Sequence, residues 1–336
     1  MDDFEQVSSE AQAARLRALA TRALDAYPLE VREVQLVGLY TNAIFRVATT
    51  DGTSYMMRVC RPGWRTDTDL RSEAMWLQVL DRETDIGAPR PVMSRDGAYL
   101  VRAEAEGVPE ARRCCVMSWT PGVVLEDERL TEENLFKMGV LFAKLHVRGA
   151  NFEPPAGFTQ RRMDTLFARG EEDVLFSAEN REAFTPRAWE IMDRVRAKVA
   201  AAYERLYADP ADLRVIHHDL WHGNINIHAG RLHPLDFEDT VWGYPVQDIA
   251  MAWQDLMKDV APEAYEPLTR AFRAGYEQRL AWPESYAGQI DLFRAGRMLW
   301  VANYVARFER VYLGEHLAWL AGEFEKFLDT GMIRKE

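Results

Sequence analysis

No stretch of this 336-residue chain approaches the ~20 consecutive apolar residues that a membrane-crossing helix requires. Its opening, MDDFEQVSSE, is acidic and lacks the basic segment that begins a secretory signal, so the cytoplasm is the expected location. Cysteine is scarce. Cys60, Cys114 and Cys115 are too few for a disulfide framework, and the adjacent pair lacks the CxxC spacing of a zinc site, so core positions are expected for all three. Basic residues are also short: 41 Lys and Arg stand against 53 Asp and Glu, a formal net charge of −12. That balance argues against a nucleic-acid partner, whose phosphates call for clustered cations, and it mildly favours a cationic substrate. Repeats and low-complexity tracts are absent. What remains, 48% hydrophobic and 28% charged residues, is ordinary globular composition at a length sufficient for two lobes.

Apolar residues Ala14, Leu16, Leu19 and Leu24 recur at helical spacing, and the region of Pro28 closes that element. Short strand-like runs follow, EVQLVGL, AIFRVATT and TSYMMRVC, the last two joined by the hairpin signal Asp51 and Gly52. Residues 67–80 return to helical spacing with Leu70, Ala74, Leu77 and Leu80 on one stripe. Two further strand candidates are AYLVRAEA and RRCCVMSWT. After Thr120, Pro121 and Gly122, the expected hinge, helical spacing dominates at 131–148, 185–207, 246–258, 262–280, 286–312 and 315–330. The expected division is 1–119, with an N-terminal helix, an antiparallel sheet and one Glu-bearing helix, and 120–336, mainly helical.

The interruption in that helical half is residues 217–239, HHDLWHGNINIHAGRLHPLDFED. An apolar lead-in, Leu213, Val215 and Ile216, precedes a polar cluster; Asn224 to Ile227 and Leu232 to Phe237 flank a turn at Ala229 and Gly230. A hairpin centred there sets Asn224 nearly opposite Asp236 on strands roughly 5 Å apart, which would offer two hard oxygen ligands to Mg²⁺. Asp219 would project from the preceding loop, where a carboxylate can orient a hydroxyl towards a γ-phosphate. Base Asp, downstream Asn and strand-borne metal Asp repeat the division of labour in protein kinases, at tighter spacing. The bland reading of the three is a polar turn with capping roles.

Glu73 falls on the apolar stripe of the 67–80 helix, and a buried carboxylate needs a partner. Arg58 on the third strand supplies one, where kinases place a lysine that spans this helix and the nucleotide phosphates. Arginine keeps the charge with different reach. The first hairpin, residues 38–42, sits where a phosphate-covering loop belongs, but it holds a single glycine; Thr41 and Asn42 are its candidate donors to phosphate.

These motifs resemble the aminoglycoside phosphotransferase and choline kinase-like family, whose catalytic motif reads approximately HGDLHPGNIL followed by an IDFED-like strand. This chain offers HHDLWHGNIN and LDFED. The resemblance implies an α+β, protein-kinase-like two-lobed fold with an antiparallel N-lobe sheet and a mainly helical C-lobe carrying the catalytic and metal-binding hairpin. It implies a Mg²⁺-dependent phosphotransferase using ATP on a hydroxyl acceptor, with Asp219 as base and Asn224 and Asp236 as metal ligands. Met117 and Trp119 match the family's adenine-contacting hinge, Arg often stands at the Arg58 position, and Asp248 matches an Asp that braces the catalytic loop. The departures are His218 for a common Gly, and Trp221 and His222 for a common His and Pro.

Glu238, Asp239, Trp242 and Tyr244, with Trp300, Tyr304, Arg307 and Phe308 at helical spacing, would suit a cationic small-molecule acceptor if they lined a cleft; core packing is the competing reading. PVQDIAMAW and RMLWVANYVARF also resemble the family's bacterial stress-response Ser/Thr kinases, which would make the acceptor a protein. Two other classes compete: a pseudokinase, suggested by Arg58 and the glycine-poor loop, and a metal-dependent hydrolase built on His217, His218, Asp219 and His222.

Overall fold

The computed structural model describes residues 4–159, 161–167 and 171–334. The chain divides into two compact units, the first comprising Met1–Gly122, Pro154–Thr159 and His233–Glu238, the second Val123–Glu153, Gln160–Leu232 and Asp239–Glu336. The short segment with Asp236 therefore clusters with the first unit, although its neighbours in sequence lie in the second.

In the first unit α1 (Ser9–Leu24) is followed by β1 (Val31–Leu39), β2 (Ala43–Thr49), β3 (Ser54–Val59), α2 (Asp67–Glu83), β4 (Pro91–Val92), β5 (Val101–Ala103) and β6 (Arg112–Ser118). The strands form an antiparallel sheet in the order β1, β2, β3, β6, β4, with β5 also on β6. Helix α1 starts where Ser8 caps the Ala11 N–H, and it buries Ala13, Leu16, Leu19, Ala20, Ala23 and Leu24. Ala14, expected on that stripe, faces outward, and Ala13 takes its place. Strand alternation sends Phe45, Val47, Met57 and Val59 into the same core. Arg58, between two of these, therefore points to the opposite face, where α2 brings Glu73. The turn between β2 and β3 holds Gly52 at φ +86°, and Asp51 Oδ1 accepts from Thr49 Oγ1 at 2.6 Å and Thr53 N at 2.9 Å. The three cysteines are buried and free.

The second unit contains β7 (Val123–Val124), α3 (Glu132–Ala150), α4 (Pro186–Tyr207), β8 (Arg214–Ile216), β9 (Ile225–His228), the start of β10 (Arg231–Pro234), β11 (Val241–Gly243), α5 (Pro245–Asp259), α6 (Pro262–Tyr276), α7 (Gln289–Phe308) and α8 (Leu313–Thr330). Thr131 and Thr185 cap α3 and α4. Helices α3 and α6 meet through glycines: a Cβ on Gly139 would lie 1.9 Å from the Phe272 carbonyl oxygen, and one on Gly275 would lie 1.9 Å from that of Phe136. Gly149 brings α3 equally near β8, because its Cβ would fall 2.1 Å from the Val215 oxygen. Strand β8, paired with β11, leads directly into the loop that carries Asp219. Between β9 and β10, Ala229 at φ +48° and Gly230 at φ +74° supply the two positive φ angles that a two-residue type I′ hairpin demands. Among the described residues no helix is long and apolar enough to cross a membrane.

Candidate active site

In the first unit the chemistry gathers around Arg58. Its Nη1 lies 2.7 Å from Glu73 Oε2 and its Nη2 2.8 Å from Glu73 Oε1, a two-pronged pair that is almost wholly buried. Two more carboxylates approach the same guanidinium, Glu238 at 3.4 Å and Asp236 at 3.8 Å. Burial alone would lower the Arg58 pKa, but the charges of Glu73 and Glu238 outweigh it and hold the group above its ordinary value. Glu238 is itself pinned, accepting from Asn42 Nδ2 at 2.8 Å and from Trp64 Nε1 at 3.1 Å. Asn42 Oδ1 in turn accepts the Arg61 N–H at 2.9 Å. Asn42 thus spends its side chain on bracing Glu238. Asp236 differs from Glu73 and Glu238 in being half-exposed, at 47%, and it sits in the left-handed region at φ +54°. For a non-glycine residue that conformation costs about 1–3 kcal/mol, a strain that gathers at functional sites.

Thr41 lies at the half-buried tip between β1 and β2, where the Tyr40 N–H donates to the Asn42 carbonyl at 2.9 Å. A Cβ on Gly38 would come within 2.5 Å of the ring of Tyr40, an exposed side chain that can turn aside. Met117 is buried in β6 between Met56 and Pro91, and the Trp119 N–H donates to the Ser54 carbonyl at 3.2 Å, so this backbone donor serves the sheet. The Arg46 guanidinium lies 5.0 Å above the Trp119 ring.

In the second unit the loop from His217 to Asn224 is organised by Asp248, which is fully buried near the start of α5. Its carboxylate accepts the His218 N–H at 2.7 Å, the His217 N–H at 3.3 Å and His146 Nε2 at 3.0 Å. Burial lowers the His146 pKa, so this contact is a hydrogen bond from a neutral ring, whose Nδ1 faces the Tyr276 hydroxyl at 3.0 Å. Burial works against the Asp248 charge, yet the hydrogen bond from His146 and the surrounding histidines keep its carboxyl below the ordinary value. His218 occupies φ +64°, the left-handed conformation that explains why glycine suits this position and why a histidine there is strained.

Asp219 emerges from this brace with both oxygens engaged. Oδ2 accepts from Asn224 Nδ2 at 3.0 Å, and Oδ1 accepts from Arg297 Nη2 at 3.2 Å. Asn224 Nδ2 also reaches the Asp219 carbonyl, at 2.8 Å, which leaves Oδ1 as the amide's ligand-type oxygen. Arg297 on α7 contacts Asp255 Oδ2 at 3.4 Å as well, and Lys258 Nζ donates to Asp255 Oδ1 at 2.7 Å. Burial would lower the Arg297 pKa, but Asp255, Asp219 and Asp239 together raise it. The sequence reading missed Arg297 and His146, because each acts through residues far away in the chain; the available signal was a charged residue on an otherwise apolar helix stripe.

Of the residues expected to line an acceptor cleft, several have partners within their own unit. Glu238 serves Arg58, the Tyr244 hydroxyl donates to the Asp209 carbonyl at 2.7 Å, and Trp242 packs against Phe152. Trp300 and Tyr304 do present half-buried, nearly parallel rings on the face of α7 that carries Arg297. The hydrolase reading also loses its ligands. The His217 Nδ1 accepts the Asp219 N–H at 3.3 Å, and His222 Nε2 pairs with Asp259 at 2.9 Å. Among the described residues no group of three or more His, Cys, Asp and Glu side chains is arranged to hold a metal ion.

The model of the phosphotransferase enzyme family matches residues 33–282, which take in Arg58, Glu73, Asp219, Asn224, Asp236 and Asp248 but not Arg297. The chain belongs to that family. No curated protein sequence matches this phosphotransferase. Among solved structures, an amicoumacin kinase, hAmiN, in complex with AMP-PNP, Ca²⁺ and Ami has a TM-score of 0.78 at 17% identity, covering 97% of this chain and 98% of that one. A microcompartment-associated aminopropanol kinase has a TM-score of 0.75 at 20% identity, covering 95% and 99%. A choline/ethanolamine kinase family protein from Mesorhizobium loti has 0.60 at 18%, covering 96% and 98%. At such identities the likeness establishes the fold: this phosphotransferase is α+β and protein-kinase-like, as its sequence motifs imply.

Proposed function

We propose that this phosphotransferase moves the γ-phosphate of ATP, with Mg²⁺, to a hydroxyl of a small amine-bearing molecule in the cytoplasm. The observation that carries the reading is Asp219, a carboxylate set by Asn224 at the end of a loop whose backbone Asp248 holds. In phosphoryl transfer the protein mainly positions and neutralises, and a braced aspartate is suited to orienting a hydroxyl for in-line attack.

Arg58, held by Glu73 and Glu238, offers its charge to the phosphate tail. Asn42 acts here through Glu238, Thr41 would face the phosphates, and the segment from Met117 to Trp119 would border the adenine through its backbone, the Met117 side chain being buried. Asn224 and Asp236 are the residues that would hold Mg²⁺: in the second unit the Asn224 amide turns its nitrogen to Asp219, which would leave its oxygen for a metal, and in the first unit Asp236 has a half-exposed carboxylate held in strained backbone. When bound, Mg²⁺ neutralises charge on the β- and γ-phosphate oxygens. An amine-bearing acceptor is favoured by the net charge of −12 and by the likeness to an aminopropanol kinase.

ADP release measured with amino alcohols, choline, homoserine, aminoglycosides and a generic protein substrate tests this reading. Stimulation by a small amine is expected; stimulation by the protein alone contradicts it. Asp236→Ala is expected to lose Mg²⁺-dependent ATP binding in a calorimeter, and retained tight binding removes that residue from the ligand set.

A further inference from the structure

Within the second unit the Asp219 carboxylate is held by Arg297 as well as by Asn224. An aspartate in a loop turns about two side-chain bonds, so a single hydrogen bond at Oδ2 leaves the carboxylate free to swing about that contact. The second anchor is Arg297 Nη2, 3.2 Å from Oδ1. Arg297 is held in turn: the same nitrogen lies 3.4 Å from Asp255 Oδ2, and its guanidinium stacks over the Trp300 ring at 4.5 Å. Asp255 is fixed from the other side by Lys258. The chain of contacts therefore runs from α5 through α7 to one oxygen of the proposed acceptor-orienting carboxylate.

We infer that Arg297, anchored by Asp255 and Trp300, is a positioning residue that sets the rotation of Asp219 for phosphate transfer. The inference rests on the reading of Asp219 given above. Each carboxylate oxygen has two lone pairs, so an oxygen that accepts from Asn224 or Arg297 still accepts from an acceptor hydroxyl. What the second anchor supplies is orientation, and a displacement of about 1 Å at a reacting group can cost 10²-fold in rate. A role confined to joining α5 to α7 explains the arrangement poorly. Lys258 already neutralises Asp255, so that carboxylate does not depend on Arg297 for its cation. The guanidinium is instead aligned so that one nitrogen touches both carboxylates. Lysine would not reproduce this, because a point charge lacks the planar fork that stacks on Trp300 while donating to Asp219.

The experiment measures ADP release from Mg²⁺ and ATP, with water as acceptor and with each amino alcohol of the panel, for the wild type, Arg297→Ala, Arg297→Gln, Arg297→Lys and Asp219→Asn. ATP binding and the melting temperature are measured on the same preparations. For Arg297→Ala, kcat is expected to fall roughly tenfold to a hundredfold while KM for ATP stays at the wild-type value. Low-millimolar guanidinium is expected to restore part of that loss, and Arg297→Lys to restore less. Arg297→Gln, nearer in shape, is the variant to use where the alanine lowers the melting temperature. Wild-type kcat in the alanine and glutamine variants, alongside an inactive Asp219→Asn, overturns this inference and leaves the reading of Asp219 intact. So does a loss of activity that follows the melting temperature and ignores guanidinium. Wild-type release by Asp219→Asn overturns the reading itself, and this inference with it.

Discussion

Arg58 grips Glu73 with both terminal nitrogens, at 2.7 Å and 2.8 Å, and neither side chain is more than 2% exposed. A lysine keeps the charge but holds only a point contact, so Arg58→Lys gives up one charge-assisted hydrogen bond and weakens the hold on Glu238. The expected cost is about 1.5–3 kcal/mol, read from the urea midpoint, with a higher KM for ATP. Arg58→Met leaves Glu73 and Glu238 without their cation, and an expected loss of about 3–5 kcal/mol follows. A methionine variant as stable as the wild type would contradict the account of this cluster.

Gly139 is one of two equally tight points between α3 and α6, Gly275 being the other. Gly139→Ala drives a methyl group to 1.9 Å from the Phe272 oxygen, which is backbone and cannot rotate away. Overpacking of this kind costs about 1–3 kcal/mol, and a lower melting temperature is expected with ATP binding preserved. An unchanged melting temperature would show that the two helices part more easily than their packing implies.

Acid should destabilise the protein in two stages. The native His146 pKa lies below its ordinary 6.5, so as pH falls through that value the unfolded chain takes up a proton that the native ring refuses. Unfolding becomes easier from about pH 6.5 down to the native pKa. Asp248 adds a second stage: its native pKa is below 3.8, so the stability it contributes is present above that value and is lost as pH falls through its native pKa. His146→Gln should shrink the first stage in urea titrations at stepped pH. The remainder belongs to His222 and His316, whose pKa values burial also lowers. An unaltered first stage in the glutamine variant would contradict the assignment.

Long elements were legible in the sequence because their signal is repeated. Leu70, Ala74, Leu77 and Leu80 mark α2 over several turns, and all four are buried. The hairpins were legible from single dipeptides, Asp51 with Gly52 and Ala229 with Gly230, since these fix the backbone locally. Strands of two or three residues, such as Arg214–Ile216 and Val241–Gly243, were not, because too few positions exist to show alternation. Asp219, Asn224, Asp236, Arg58 and Glu73 stand out in the sequence through order and spacing, and the buried pair of Arg58 with Glu73 is present. The roles of Glu238, His146 and Arg297 do not stand out, since each depends on a partner more than 75 residues away in the chain. His218 lies between these cases: its identity looked anomalous, and only the backbone angle of +64° explains why glycine suits that place.

Whether Asp219 orients the acceptor is decided by transfer of phosphate from ATP and Mg²⁺ by Asp219→Ala beside the wild type, with ATP affinity measured on both. The account predicts that turnover falls by about 10²-fold or more while ATP binds with nearly unchanged affinity. Transfer by the alanine variant at the wild-type rate would contradict it.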